Sequence, residues 1–115
     1  MPKAAIELTP RVVVEGARTF GPGKADLLAL IAKTGSISAA ARDMKMSYSR
    51  AWGLVDEMNR AFKAPLVMKA TGGKSGGGAI VTADGEKVLA LYRAMQERLE
   101  SEAESFTPRF RALLK

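Results

Sequence analysis

Apolar side chains recur every three to four residues in three stretches of the chain, which is the period of an amphipathic helix. We therefore predict helices over residues 24–34, 48–63 and 86–105. The apolar stripe of the second helix consists of Ala51, Val55, Met58 and Phe62, and that of the third consists of Val88, Leu91, Tyr92, Met95 and Leu99.

Serine residues mark the starts of two helices in the middle of the chain. Ser47 precedes the helix over residues 48–63, and Ser36 precedes a shorter predicted helix over residues 37–44. A serine at this position accepts a hydrogen bond from a backbone N–H that has no partner inside the helix. A short capped helix, a tight turn and a longer capped helix form the helix-turn-helix pattern, which we place at about residues 36–63.

Three short runs rich in apolar and β-branched residues predict β-strands. One lies at residues 11–14. The other two, residues 66–71 and 79–82, flank a glycine-rich loop, so we predict that they pair as a hairpin over about residues 66–82.

The order of these elements predicts a fold that is mainly α with a small β-hairpin. It is a winged helix-turn-helix with an N-terminal strand and a long C-terminal helix. We expect a single structural domain, with the winged helix-turn-helix in residues 1–82, the C-terminal helix at 83–107 and a loosely held tail at 108–115.

The composition excludes several kinds of chemistry. The length of 115 residues is that of one domain, and 47% of the residues are hydrophobic, which is enough to build a core. The chain has no cysteine and no histidine, which removes disulfides, thiolate and imidazole metal ligands and the histidine relay of catalytic triads. We predict no catalytic residue, no metal site and no enzymatic activity.

The sequence also lacks the signals of a membrane or secreted protein. No apolar run approaches the roughly 18 residues that a membrane span needs. The first seven residues, MPKAAIE, lack the apolar core of a secretory signal. We therefore expect no membrane partner and a cytoplasmic location, at the bacterial nucleoid if the partner is DNA.

Positive charge is concentrated in the middle of the chain. The net charge is +6, from 18 Lys and Arg against 12 Asp and Glu, and residues 33–82 alone contain eight basic and three acidic residues. Such a block favours a polyanionic partner, because each phosphate that it neutralises releases condensed counterions. A solvated basic face without a partner is the alternative.

Several short motifs in this region are characteristic: Gly35-Ser36-Ile37-Ser38, Ser47-Tyr48, Ala51-Trp52, Glu57-Met58-Asn59 and the glycine-rich residues 70–79. Together they resemble the DNA-binding half of molybdate-responsive ModE-type transcription regulators. A more distant likeness to LysR-type regulators includes Thr82-Ala83-Asp84-Gly85.

This resemblance implies operator binding by a winged helix-turn-helix. Members of the ModE-type family bind molybdate with a separate, β-rich C-terminal portion, for which these 115 residues leave no room. We therefore expect no molybdate-binding domain and no cofactor in this chain.

The helix over residues 48–63 is the predicted reader of double-stranded DNA, because a helix fits the major groove and presents its first turn to base edges. Arg50 can form a pair of hydrogen bonds with guanine. Trp52 is offset by one residue from the apolar stripe, so it is either a core residue or partly exposed beside the groove. The predicted DNA-contacting residues are Ser36, Ser38, Ser47, Tyr48, Ser49, Arg50, Trp52, Lys69, Gly72, Gly73, Lys74 and Ser75.

The glycine-rich loop is predicted to grip the phosphate backbone beside this helix, since successive backbone N–H groups form an anion-binding concavity. Gly73-Lys74-Ser75 also matches the end of a nucleotide-binding loop. Met68 stands where that pattern requires its first glycine, and a strand follows instead of a helix, so we reject this interpretation.

The last helix carries more apolar surface than a cap on so small a domain requires. We predict that it pairs with a second copy across a two-fold axis through Val88, Tyr92, Met95 and Leu99. The alternative is a long helix folded back on its own domain. Two other functions stay open: a winged-helix module that docks an acidic protein, and a small oxyanion sensor that uses the glycine-rich loop.

Overall fold

A computed structural model of the protein describes residues 2–70 and 78–115. The predicted contact residues Gly72, Gly73, Lys74 and Ser75 lie outside these ranges. In chain order the elements are β1 (Val12–Val14), β2 (Ala17–Phe20), α1 (Pro22–Thr34), α2 (Ile37–Asp43), α3 (Tyr48–Ala61), β3 (Val67–Ala70), β4 (Gly78–Val81), α4 (Ala83–Glu104) and α5 (Thr107–Arg111).

Local interactions confirm the predicted starts of α2 and α3 and the predicted end of α1. The hydroxyl oxygen of Ser36 accepts from the N–H of Ala39, and that of Ser47 accepts from the N–H of Arg50, both at 3.0 Å. Gly35 closes α1 in the left-handed conformation at φ 69°, which glycine adopts without steric cost. These caps separate α1, α2 and α3 and thereby define the helix-turn-helix.

The core lies where α1 and α3 meet the start of β3. Its largest fully buried side chains are Leu27, Leu28, Ile31, Val55, Met58 and Leu66. The predicted stripe of α3 is confirmed at Ala51, Val55 and Met58, while Phe62 packs half-buried at its end. The antiparallel pair of β3 and β4, with Val67 opposite Val81, confirms the predicted hairpin.

The N-terminal strand has a partner that the sequence pattern did not predict. β1 and β2 form an antiparallel hairpin, separate from the β3–β4 hairpin. Its turn places Glu15 at φ 50° and Gly16 at φ 82°. Two consecutive positive φ angles match the twist of a tight hairpin, but glutamate is not one of the residues that normally signal such a turn.

The C-terminal region also differs from the prediction. The expected loose tail contains the short helix α5, which has Pro108 in its first turn, where the missing N–H of proline has no helical partner to lose. The molecule measures 57 × 29 × 22 Å, because the second half of the 22-residue helix α4 extends beyond the core. No helix within residues 2–70 and 78–115 is long and apolar enough to cross a membrane.

Tyr92, which was predicted to lie at a dimer interface, belongs to the core of its own chain. Its ring packs edge-on against Phe20 at 5.3 Å between centroids, and only 3% of the residue is exposed. Burial raises the pKa of the Tyr92 phenol, so the neutral hydroxyl donates a hydrogen bond to the carbonyl of Pro10 at 2.8 Å. The side chain is therefore almost fully enclosed by its own chain.

Gly85→Ala is expected to destabilise the protein. A Cβ at Gly85, which is buried in the first turn of α4, would overlap the carbonyl oxygen of Leu66 and lie 2.7 Å from a methyl group of Val81. Overpacking of this kind costs about 1–3 kcal/mol. Thermal unfolding followed by circular dichroism measures the decrease in stability.

Gly53→Ala is the matched control for this substitution. Gly53 lies inside α3, and within the described part of the chain no atom other than those of its own helix backbone and its two chain neighbours comes within 4 Å of an added Cβ. Alanine there should stabilise the helix by about 1 kcal/mol. Equal melting temperatures for the two variants would contradict the close packing assigned to Gly85.

Candidate nucleic-acid interface

The first turn of α3 presents a polar surface to solvent. Tyr48, Ser49 and Arg50 are exposed, whereas Ala51 behind them is buried in the core. Ser47 caps the helix and remains exposed itself, so its hydroxyl serves the fold and still faces solvent. A protruding helix with an exposed polar first turn has the form needed to enter the major groove.

Trp52 joins this surface to the β3–β4 hairpin. The residue is half-buried, and its indole N–H donates a hydrogen bond of 2.6 Å to the hydroxyl of Tyr48. The ammonium nitrogen of Lys69, on β3, lies 5.7 Å from the centre of the Trp52 ring, within the range of a cation–π contact. We call Tyr48, Trp52 and Lys69 the aromatic cluster; it brings together three of the predicted DNA-contacting residues.

The two predicted residues at the start of α2 have different environments. Ser36 is half-buried, and its hydroxyl is engaged in the N-cap of α2. Ser38 is exposed on the first turn of the same helix. Ser36 is thus engaged in the fold, while Ser38 makes no side-chain hydrogen bond within the described residues.

Asn59 is a structural residue of the site to which the sequence pattern assigned no role. Its amide group donates to the carbonyl of Val67 at 3.0 Å and accepts from the N–H groups of Leu66 and Val67 at 2.8 and 3.1 Å. These bonds tie α3 to the start of β3, the strand that carries Lys69. The feature of the sequence that could have indicated this role is that Asn59 is a polar residue directly after Met58, which belongs to the buried stripe.

The exposed apolar side chains of the C-terminal region lie only partly where the dimer prediction put them. Val88 and Met95 are half-buried against the core. Leu99 is exposed, and so is Leu91, at 74%. Of the four predicted interface residues, Leu99 is therefore the one most open to a partner.

The fold and the site together define a winged helix-turn-helix. Its helix α3 displays a polar, aromatic surface beside the β3–β4 hairpin. The family model described as "Bacterial regulatory helix-turn-helix protein, lysR family" matches residues 24–86. The chain belongs to this family.

Curated relatives agree with the narrower resemblance seen in the sequence. The chain is 48% identical over 97 residues to the molybdenum-pterin-binding protein MopB of Rhodobacter capsulatus, covering 83% of this chain and 36% of that protein. It is 46% identical over 71 residues to the DNA-binding transcriptional dual regulator ModE of Escherichia coli K12, covering 62% of this chain and 27% of that protein. It thus spans roughly a third of these relatives' length.

A solved structure supports the fold assignment. The crystal structure of ArgP from Mycobacterium tuberculosis matches 73% of this chain and 29% of its own, with a TM-score of 0.54 and 24% sequence identity. At this identity the similarity concerns the fold alone.

Proposed function

We propose that this protein is a sequence-specific, DNA-binding transcription regulator that places α3 in the major groove. The observation that carries the proposal is the exposed first turn of α3 together with the aromatic cluster. The relatives named as transcription regulators support the same role. The role is binding rather than catalysis.

The exposed residues divide into those that contact base edges and those that contact the phosphate backbone. Arg50 and Ser49 stand at the N-terminal end of α3, from which a recognition helix reaches base edges. Lys69 approaches the same region from β3 and supplies a positive charge for a phosphate. Trp52 links helix and hairpin, because its ring on α3 lies 5.7 Å from the ammonium nitrogen of Lys69 on β3.

We further propose that two copies pair through the C-terminal part of α4. Leu91 and Leu99 are exposed apolar side chains on the helix, and Phe106 follows it at 45% exposure. Pairing across a two-fold axis would bury this surface and set two reading helices about 34–36 Å apart on DNA. Such a regulator acts where the chromosome lies, at the bacterial nucleoid.

Selection of bound fragments from random duplex DNA tests this function. We expect a recovered sequence with a pseudo-palindromic pattern, an affinity that falls steeply as salt rises, and a complex that contains two protein chains per duplex. Equal affinity for the selected and a scrambled duplex would refute sequence-specific binding. A complex with one chain per duplex would refute only the dimer.

A further inference from the structure

A basic cleft lies beside α3, between the β1–β2 hairpin and the start of α1. It encloses about 410 Å³ and is lined by the side chains of Arg11, Arg18, Lys24 and Arg50. Glu57 also lines the cleft and forms an ion pair of 3.4 Å with Lys24. Three positive charges therefore remain without an opposite charge in the cleft.

These three charges belong to arginines that have no acidic partner. Within residues 2–70 and 78–115, Arg11, Arg18 and Arg50 form no salt bridge. Like charges that share a cleft repel one another, and a bound anion would remove that repulsion. A guanidinium group binds a phosphate through two parallel hydrogen bonds, which makes phosphate the anion that suits this cleft.

The position of Arg11 strengthens the case for an anion. Its side chain packs against Gly21, the N-cap residue of α1. A Cβ added at Gly21 would lie 3.0 Å from a guanidinium nitrogen of Arg11. The N-terminus of a helix carries partial positive charge, so a cation beside it is unfavourable. The first turn of α1 contains no acidic residue to compensate.

Arg50 connects the cleft to the proposed reading surface. It belongs to the exposed first turn of α3 and also lines the cleft, so the two surfaces share a side chain. Phosphate contacts beside a reading helix hold it in register on the duplex. We propose that the β1–β2 hairpin makes a second contact with the DNA backbone, in which Arg11 and Arg18 bind a phosphate in the basic cleft.

This inference rests on the proposed function, and the salt dependence of binding to the selected duplex tests the two separately. Arg18→Ala should reduce the slope of log affinity against log salt by about 0.9, because one positive charge fewer neutralises the duplex backbone. Affinity should fall alike for selected and scrambled duplexes, because a bond to phosphate carries no sequence information. Arg18→Lys should keep most of the slope, since it keeps the charge.

Arg98→Ala is the matched control, because it removes one exposed positive charge from α4 at a residue that does not line the cleft. Its slope should equal that of the wild type. Arg18 is exposed, so its variants should melt like the wild type; Arg11→Ala provides a second test of the same cleft if they do not.

The outcomes distinguish the two proposals. Absence of binding by the wild type to any duplex at low salt would refute the proposed function. Salt-dependent wild-type binding with an unchanged slope in Arg18→Ala and Arg11→Ala would overturn the second contact alone. Calorimetry with inorganic phosphate tests whether the cleft binds a free phosphate instead of the DNA backbone. If phosphate binding is saturable and disappears in Arg18→Ala while the salt slope of DNA binding is unchanged, the cleft binds a free oxyanion and the backbone contact is overturned.

Discussion

Replacing Asn59 with alanine is expected to destabilise the protein by about 2–4 kcal/mol, because each buried backbone group left without a partner costs about 1–3 kcal/mol. The substitution removes three hydrogen bonds to Leu66 and Val67, which are 0% and 4% exposed. Water cannot readily replace those bonds at buried backbone atoms. The melting temperature should fall by about 8 °C or more.

The same substitution should also weaken DNA binding, since Asn59 holds β3 and therefore Lys69 against α3. Arg60→Ala is the control at the next position. Arg60 is exposed and forms a surface ion pair with Asp56, so its removal should change stability by less than about 0.5 kcal/mol. Similar melting temperatures for the Asn59 and Arg60 variants would show that the bridge between α3 and β3 contributes little.

Replacing Arg50 with alanine is expected to reduce discrimination between the selected and a scrambled duplex. A two-bond contact between arginine and guanine contributes about 1–3 kcal/mol of specificity, which corresponds to a change of about 5- to 150-fold. Arg50 has no salt bridge among the described residues, and its side chain is exposed at the start of α3. Competition binding with single base-pair variants locates the affected position.

Arg50→Lys separates base reading from backbone binding. Lysine keeps the charge but lacks the planar pair of donors, so it should retain affinity for scrambled DNA and still lose discrimination. If alanine weakens all duplexes equally and lysine restores the binding, Arg50 acts with Arg11 and Arg18 on phosphate. That result would contradict the assignment of Arg50 to base reading.

The elements of the helix-turn-helix could be predicted because their signals are local. An N-cap serine binds an N–H three residues away, as Ser36 and Ser47 do, and an apolar stripe is set by spacing along one helix. The exposed position of Tyr48 follows from the same periodicity. The β1–β2 hairpin was missed because Glu15 adopts a conformation that its residue type does not signal.

The sequence by itself determined the winged helix-turn-helix, the concentration of positive charge and the helix that faces outward, since each depends on residue type and on neighbours within a few positions. Only the tertiary structure decided which distant residues meet. It placed Tyr92 against Phe20 inside the core, used Asn59 to join α3 to β3, and gathered four basic residues from separate elements into one cleft. These contacts depend on how the elements pack, which periodicity along the chain does not specify.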